Sequence, residues 1–101
     1  MANYEIHLCR SGTQSVFGAG IPVALARYDH HVVGTATTTP ATPDIEATTS
    51  NQIWVVTAID AAIRVDFEDI VTATTGWLVP SGRTREFGSD IGQTPSVMLA
   101  S

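Results

Sequence analysis

The serine in the stretch GWLVPSGRTREFG, Gly76 to Gly88, is the first residue whose type and setting could do chemistry. A nucleophilic serine needs a base within hydrogen-bond reach and is often presented on a sharp turn between a strand and a helix. The sequence offers no helix here. Instead, Pro80 supplies the preset φ of a β-turn and Gly82 tolerates a positive φ. We therefore expect Val79 to Gly82 to form a hairpin turn and Ser81 not to be catalytic.

Three histidines and one aspartate are the candidate metal ligands. Asp29, His30 and His31 are consecutive in YDHH, whereas His7 is distant in the sequence. Neighbouring residues on a strand point to opposite faces, so His30 and His31 converge on one ion only if the backbone is distorted. We interpret Asp29 as a turn residue that bonds its own backbone, and we expect no bound metal.

Arg64, Asp66, Glu68 and Asp69 form a charged row that could be taken for the paired acids of a glycosidase or for a weak calcium site. On a strand, Arg64, Asp66 and Glu68 would line the solvent face instead. Cross-strand ion pairs there contribute only a few tenths of a kcal/mol each. The sequence therefore predicts no catalytic residue and no cofactor.

The two tryptophans offer a choice between core and contact surface. Trp54 lies in the most apolar run, IWVVTA, which predicts a core position. Trp77 begins a predicted strand near the end of a sheet, which leaves a core position and an interface position both open.

Short strands must position all of these residues. Period-2 alternation in YEIHLCR and AIRVDFED indicates half-buried strands, and IWVVTA is interpreted as a strand buried on both faces. Ser11 to Pro22 is predicted to be an irregular loop, and a tight turn is predicted at Asp29 and His30. The predicted strands are Asn3 to Arg10, Val23 to Tyr28, His31 to Thr38, Ile53 to Ala58, Ala62 to Asp69, Gly76 to Val79, Thr84 to Phe87 and Ser96 to Ala100.

Seven or eight short strands without a substantial helix predict an all-β chain. The expected fold is a small β-sandwich, jelly-roll-like or Greek-key, that forms a single domain over residues 1–101. The Thr-rich segment around Pro40 and Pro43 is either an exposed loop or an edge that proline protects.

Composition narrows the function classes. The 101 residues have a net charge of -5 and contain no lysine, so direct binding of nucleic acid is not expected. The single Cys9 cannot form an internal disulfide. We expect neither a secretory signal nor a membrane span. A hydrophobic fraction of 44% with only 15% charged residues favours burial against other subunits.

The order of features from Ala47 to Ser101 resembles the small β-sandwich virion proteins of tailed phages and gene transfer agents. These features are a Thr/Ser-rich lead, the strands IWVVTA and AIRVDF, the segment WLVPSGRTREFG and an apolar final strand. The resemblance implies a non-enzymatic protein on the capsid surface, either a head decoration or the base of a head spike or fibre. It also implies a trimer or pentamer that docks on the major capsid protein or another virion protein, and synthesis in the bacterial host cytoplasm.

The contacts with neighbouring subunits are expected along the first strand and around the second tryptophan. The predicted interface residues are Tyr4, Ile6, Leu8 and Trp77. Two alternatives stay open, a small tail-associated virion protein and a carbohydrate-binding β-sandwich module. A small enzyme would need convergent ionisable groups, which the strand pattern separates.

Overall fold

A computed structural model describes residues 2–16, 19–48 and 52–100 of the chain. These residues contain seven strands and no helix, which confirms the all-β prediction. The strands are β1 (Ala2–Val16), β2 (Ala19–Ala36), β3 (Gln52–Ala58), β4 (Ile63–Asp66), β5 (Trp77–Val79), β6 (Thr84–Gly88) and β7 (Ser96–Leu99).

The strands form two antiparallel sheets that pack as a small β-sandwich. The larger sheet has the order β2-β1-β3-β6, and the smaller one has the order β5-β4-β7. Alternate residues of both sheets enter a shared core, because successive side chains of a strand point to opposite faces. The core includes Ile6, Leu8, Trp54, Val56, Ile63, Val65, Val79 and Val97.

The alternation read from the sequence places the correct residues in the core. Ile63, Val65 and Phe67 are buried, as predicted, and Trp54 is fully buried against the Phe67 ring. The interpretation of IWVVTA as buried on both faces is wrong. Its residues alternate between buried and half-buried, because the smaller sheet covers only one face of the larger sheet.

The predicted loop from Ser11 to Pro22 and the predicted turn at Asp29 and His30 are both wrong. Apart from Phe17 and Gly18, which lie outside the described residues, this region belongs to β1 and β2, which pair over their length. Shifts in register near Cys9 accommodate the irregular sequence. Pro22 is tolerated because β2 lies at an edge of its sheet.

The predicted turn after β5 exists, but it does not form a hairpin. Pro80 O accepts a hydrogen bond from Arg83 N at 3.0 Å, and Gly82 has a φ of 74°, which favours glycine. The turn is fixed to β3, since Gly82 N donates to Ala58 O at 2.8 Å. β5 pairs with β4 whereas β6 pairs with β3, so the chain crosses here from one sheet to the other.

The Thr-rich segment, residues 37–48, lies beside β7. Ala41 exchanges two backbone hydrogen bonds with Val97, at 3.0 and 2.9 Å, and Leu99 N donates to Thr37 O at 2.8 Å. The segment also buries Ile45 and Ala47 in the core. The segment therefore covers the edge of the smaller sheet, and its bonds to β7 are made by Ala41 and Thr37 and not by the prolines.

Candidate functional site

An aromatic and cationic surface lies where the edges of the two sheets meet. The guanidinium carbon of Arg85 on β6 is 5.4 Å from the ring centroid of Trp77 on β5, and 5.4 Å from that of Phe87. Arg85 Nη1 also donates a hydrogen bond to Leu78 O at 3.0 Å. Arg85 thus bridges the two sheets and stabilises the Trp77 ring by a cation–π contact.

Trp77 is 53% exposed, so it belongs to the surface and not to the core. Leu78 beside it is also exposed. An open groove of about 750 Å³ runs along this surface, and several acidic side chains and one amide share its walls with the aromatic rings. We call this surface the Trp77 rim; its lining includes Asp66, Trp77, Arg85, Phe87, Asp90 and Gln93.

The acidic row continues from the end of β4 into a turn. Asp66 Oδ1 accepts hydrogen bonds from the backbone N–H groups of Glu68 and Asp69, at 2.9 and 3.3 Å. Such bonds stabilise a turn after β4. Arg64 is directed instead towards Thr75 O, at 3.4 Å. Asp66 therefore stabilises the turn that ends β4. The side chains of Glu68 and Asp69, which follow in the chain, are exposed.

The residues of YDHH are separated in a way that the sequence did not reveal. Asp29 lies within β2 and not in a turn; Arg10 Nε donates to Asp29 Oδ1 at 2.8 Å, and Gln52 Nε2 donates to Asp29 Oδ2 at 2.7 Å. Gln52 is buried, and its backbone O accepts a hydrogen bond from Ser89 Oγ. We call Arg10, Asp29 and Gln52 the clasp, because they join β1, β2 and β3.

Two of the histidines meet across the strands. His7 on β1 is the register partner of His31 on β2, and their rings stack with centroids 4.1 Å apart. Burial lowers the pKa of His7, and the neighbouring His31 adds to this effect while Glu5 opposes it. His30 is exposed and is the register partner of Leu8, so it takes no part in the histidine pair.

Ser81 is exposed at the second position of the Pro80 to Arg83 turn. The next two residues of the chain are hydrogen-bonded to Ala58: Gly82 N donates to Ala58 O, and Ala58 N donates to Arg83 O. Ser81 therefore occupies a turn, as predicted, although the turn connects two sheets.

The interface hypothesis needs one correction. Tyr4, Ile6 and Leu8 are buried in the core, and β1 has a strand on each side. The Tyr4 ring fills the space above Gly34, where an added Cβ would lie 2.7 Å from Tyr4 Cζ. These three side chains could reach another subunit only by leaving the core, so the sequence assigned them to the wrong surface. Trp77 stays a predicted interface residue.

The first two strands extend well beyond the sandwich. β3 pairs with β1 only from Tyr4 to Arg10, whereas β1 and β2 pair onwards to Val16 and Ala19. Among the described residues, this outer part is therefore a two-stranded ribbon, which we call the arm (Ser11–Val16 and Ala19–Ala24). The molecule measures 45 × 26 × 22 Å, in agreement with such an extension.

The sequence contained only weak signals for the arm and the clasp. Glycine in a sequence usually indicates a turn or a loop. Gly12 and Gly20 nevertheless lie within the antiparallel pairing of β1 with β2. Gln52 is an ordinary polar residue at the start of an apolar strand, and only its burial reveals its role.

Comparison with models of protein families, with curated proteins and with solved structures gives no match to this chain. No helix among the described residues is long and apolar enough to cross a membrane.

Proposed function

We propose that this chain is a non-enzymatic structural component of a phage or phage-like particle. It acts on the capsid surface, as a head decoration or the base of a head spike or fibre. It forms a homo-oligomer, a trimer or pentamer, and docks on the major capsid protein or another virion protein. The resemblance of Ala47 to Ser101 to such proteins suggests the particle, and the geometry of the arm supports assembly.

The arm is the observation that supports assembly most directly. A two-stranded ribbon without a third strand or a packed face is marginally stable in water. Its edge strand, β2, is 18 residues long, and among the described residues only β1 pairs with it. Proteins shorten, cover or charge such an edge with lysine, because its unpaired N–H and C=O groups attract other strands. This chain has no lysine, and a second copy of the chain would cover the edge.

The Trp77 rim supports a second contact. Tryptophan and arginine are the residues that most often dominate binding energy in protein interfaces. Here Arg85 fixes the Trp77 ring while more than half of the residue is exposed. A ring fixed in advance loses little conformational entropy when a partner covers it.

A carbohydrate-binding module is the second candidate, and the groove of the Trp77 rim favours it. An exposed indole face can stack on a sugar ring, and Asp66, Asp90 and Gln93 in the groove could bond its hydroxyls. A small tail-associated virion protein would use the same arm and rim, so the site of docking on the particle separates it from a head protein.

Shortening the arm tests the proposal. Ser11 and Ala24 are register partners, so an Asn-Gly turn can replace residues 12–23 and leave the clasp intact. We expect the full chain to sediment as a trimer or pentamer and the shortened chain as a folded monomer. Sedimentation velocity and circular dichroism measure the two properties. Ser81→Ala is the control, because an exposed turn residue should change neither.

A full chain that stays monomeric at high micromolar concentration, and does not bind particles that lack it, would contradict the proposal. A shortened chain that still forms the same oligomer would move the subunit contact away from the arm. A monomer that binds oligosaccharides would favour the second candidate.

A further inference from the structure

Glu5, His7 and His31 lie together on the face of the larger sheet that points away from the core. Glu5 and His7 are two residues apart on β1, so their side chains share a face, and His31 on β2 is directly opposite His7. One ligand atom from each of the three lies within 4.8 Å of the other two. All three side chains are only half-buried, so an ion could reach them from solvent.

One nitrogen of this cluster lacks a hydrogen bond. His31 Nε2 is shielded from solvent, and it has no hydrogen-bond partner among the described residues. Its neighbour, Glu5 Oε1, is 3.7 Å away, which is too long for a hydrogen bond. A buried polar atom without a partner is costly, and a bound ion or water would supply the missing interaction.

The donor set suits a borderline divalent cation. Two imidazole nitrogens and one carboxylate oxygen are the ligands of open zinc sites, in which water completes the coordination. Calcium and magnesium prefer oxygen ligands, so the histidines disfavour them.

The two rings must turn to bind one ion. They stack at 15° to each other, whereas a metal–nitrogen bond lies in the plane of its imidazole. The His31 side chain is 29% exposed and that of Glu5 38%, which leaves room for rotation about the terminal torsions. Tyr28 contacts both rings edge-on, with centroid distances of 5.0 and 5.6 Å, and forms one wall of the cluster.

We propose that Glu5, His7 and His31 bind one Zn²⁺ ion, with water in the remaining position. The ion joins β1 to β2 on the side of the clasp away from the arm. It therefore fixes the edge strand to its neighbour and satisfies His31 Nε2. The three ligands lie outside the Trp77 rim, and the proposal does not rest on the proposed function.

Calorimetric titration of the untagged full chain with ZnCl2 tests the site. We expect one ion per chain, and we expect His7→Gln and His31→Gln each to weaken binding at least about 100-fold, more than loss of an outer-shell partner does. Glu5→Gln should weaken it about tenfold or more. His30→Gln is the matched control, since His30 is the sequence neighbour of His31 and lies outside the cluster.

Co²⁺ provides a direct second measurement that needs no variant. Bound Co²⁺ should give the visible absorption of low-coordinate cobalt, and the ring nitrogen NMR signals of His7 and His31 should shift with Zn²⁺ while those of His30 stay unchanged. Absence of Zn²⁺ binding at millimolar concentration would overturn the proposal, and the cluster would then be a stacked histidine pair beside a carboxylate. Equal weakening by His30→Gln would also overturn it.

Discussion

The edge strand β7 of the smaller sheet is covered by another segment of the chain, whereas the edge strand β2 of the larger sheet is not covered by any described segment. In the smaller sheet, residues 37–48 lie along β7, bond to it at Ala41 and Thr37, and bury Ile45. In the larger sheet, β2 is an edge over its whole length, and among the described residues no segment runs along its outer side. Both edges present backbone N–H and C=O groups that need partners. One edge is thus closed within the chain, and the other is available to a second copy.

The closed edge should be the more sensitive to mutation. Ile45→Ala removes a side chain that is 2% exposed, and we expect it to lower the free energy of unfolding by about 2 to 5 kcal/mol. Val33→Ala is the matched control on β2, since Val33 is 57% exposed, and it should cost less than about 1 kcal/mol. Urea unfolding at one fixed protein concentration measures both. Equal losses would show that the β2 edge is as well packed as the β7 edge.

The Trp77 rim lies at the two remaining edges, β5 of the smaller sheet and β6 of the larger, which Arg85 bridges. Trp77→Ala should weaken association by about 1 to 3 kcal/mol per interface, because an exposed anchor contributes mainly when a partner covers it. The variant should keep its circular dichroism spectrum. Sedimentation equilibrium gives the association constant, and Ile70→Ala, exposed elsewhere, is the control. Unchanged association with loss of oligosaccharide binding would assign the rim to the second candidate function.

The sequence predicted the face on which most strand residues lie but not the partners of each strand. Alternation is a local property, so Ile63, Val65 and Phe67 could be assigned to the core directly. Pairing depends on distant residues. The turn after Pro80 was recognisable from its residues, yet nothing local specified that β6 leaves the sheet of β5 and pairs with β3.

The candidate sites were harder to predict for the same reason. The sequence made the adjacent residues His30 and His31 candidate metal ligands. In the structure, the strand register places His31 opposite His7, 24 positions earlier in the chain. A shift of one residue would turn His31 to the other face. Asp29 and Gln52 are likewise 23 positions apart in the chain, and they meet because β2 and β3 both pair with β1.

The alkylation rate of Cys9 tests how firmly the clasp holds the root of the arm, where β1 and β2 leave the sandwich. We expect this test to give the smallest effect. Cys9 is buried on β1 with Tyr28 and Ile53 as register partners, one position before Arg10. Burial raises the pKa of its thiol, and the carboxylates of Glu86 and Asp29 raise it further. Because the thiolate is the reactive form, the folded chain at pH 7 contains less of it than a free cysteine, and alkylation should be slow.

We expect iodoacetamide to modify Cys9 more slowly in the folded chain than in urea, because burial shields the thiol and raises its pKa. The rate should also keep rising above pH 8.5, where a free cysteine begins to level off. Gln52→Ala removes the bond to Asp29 and should raise the rate a few-fold by local opening, whereas shortening the arm with the clasp intact should not. Mass spectrometry of timed samples measures these rates. Rapid labelling of the unaltered chain would show that the root of the arm opens readily, and the clasp would then not be what fixes β2 to the sandwich.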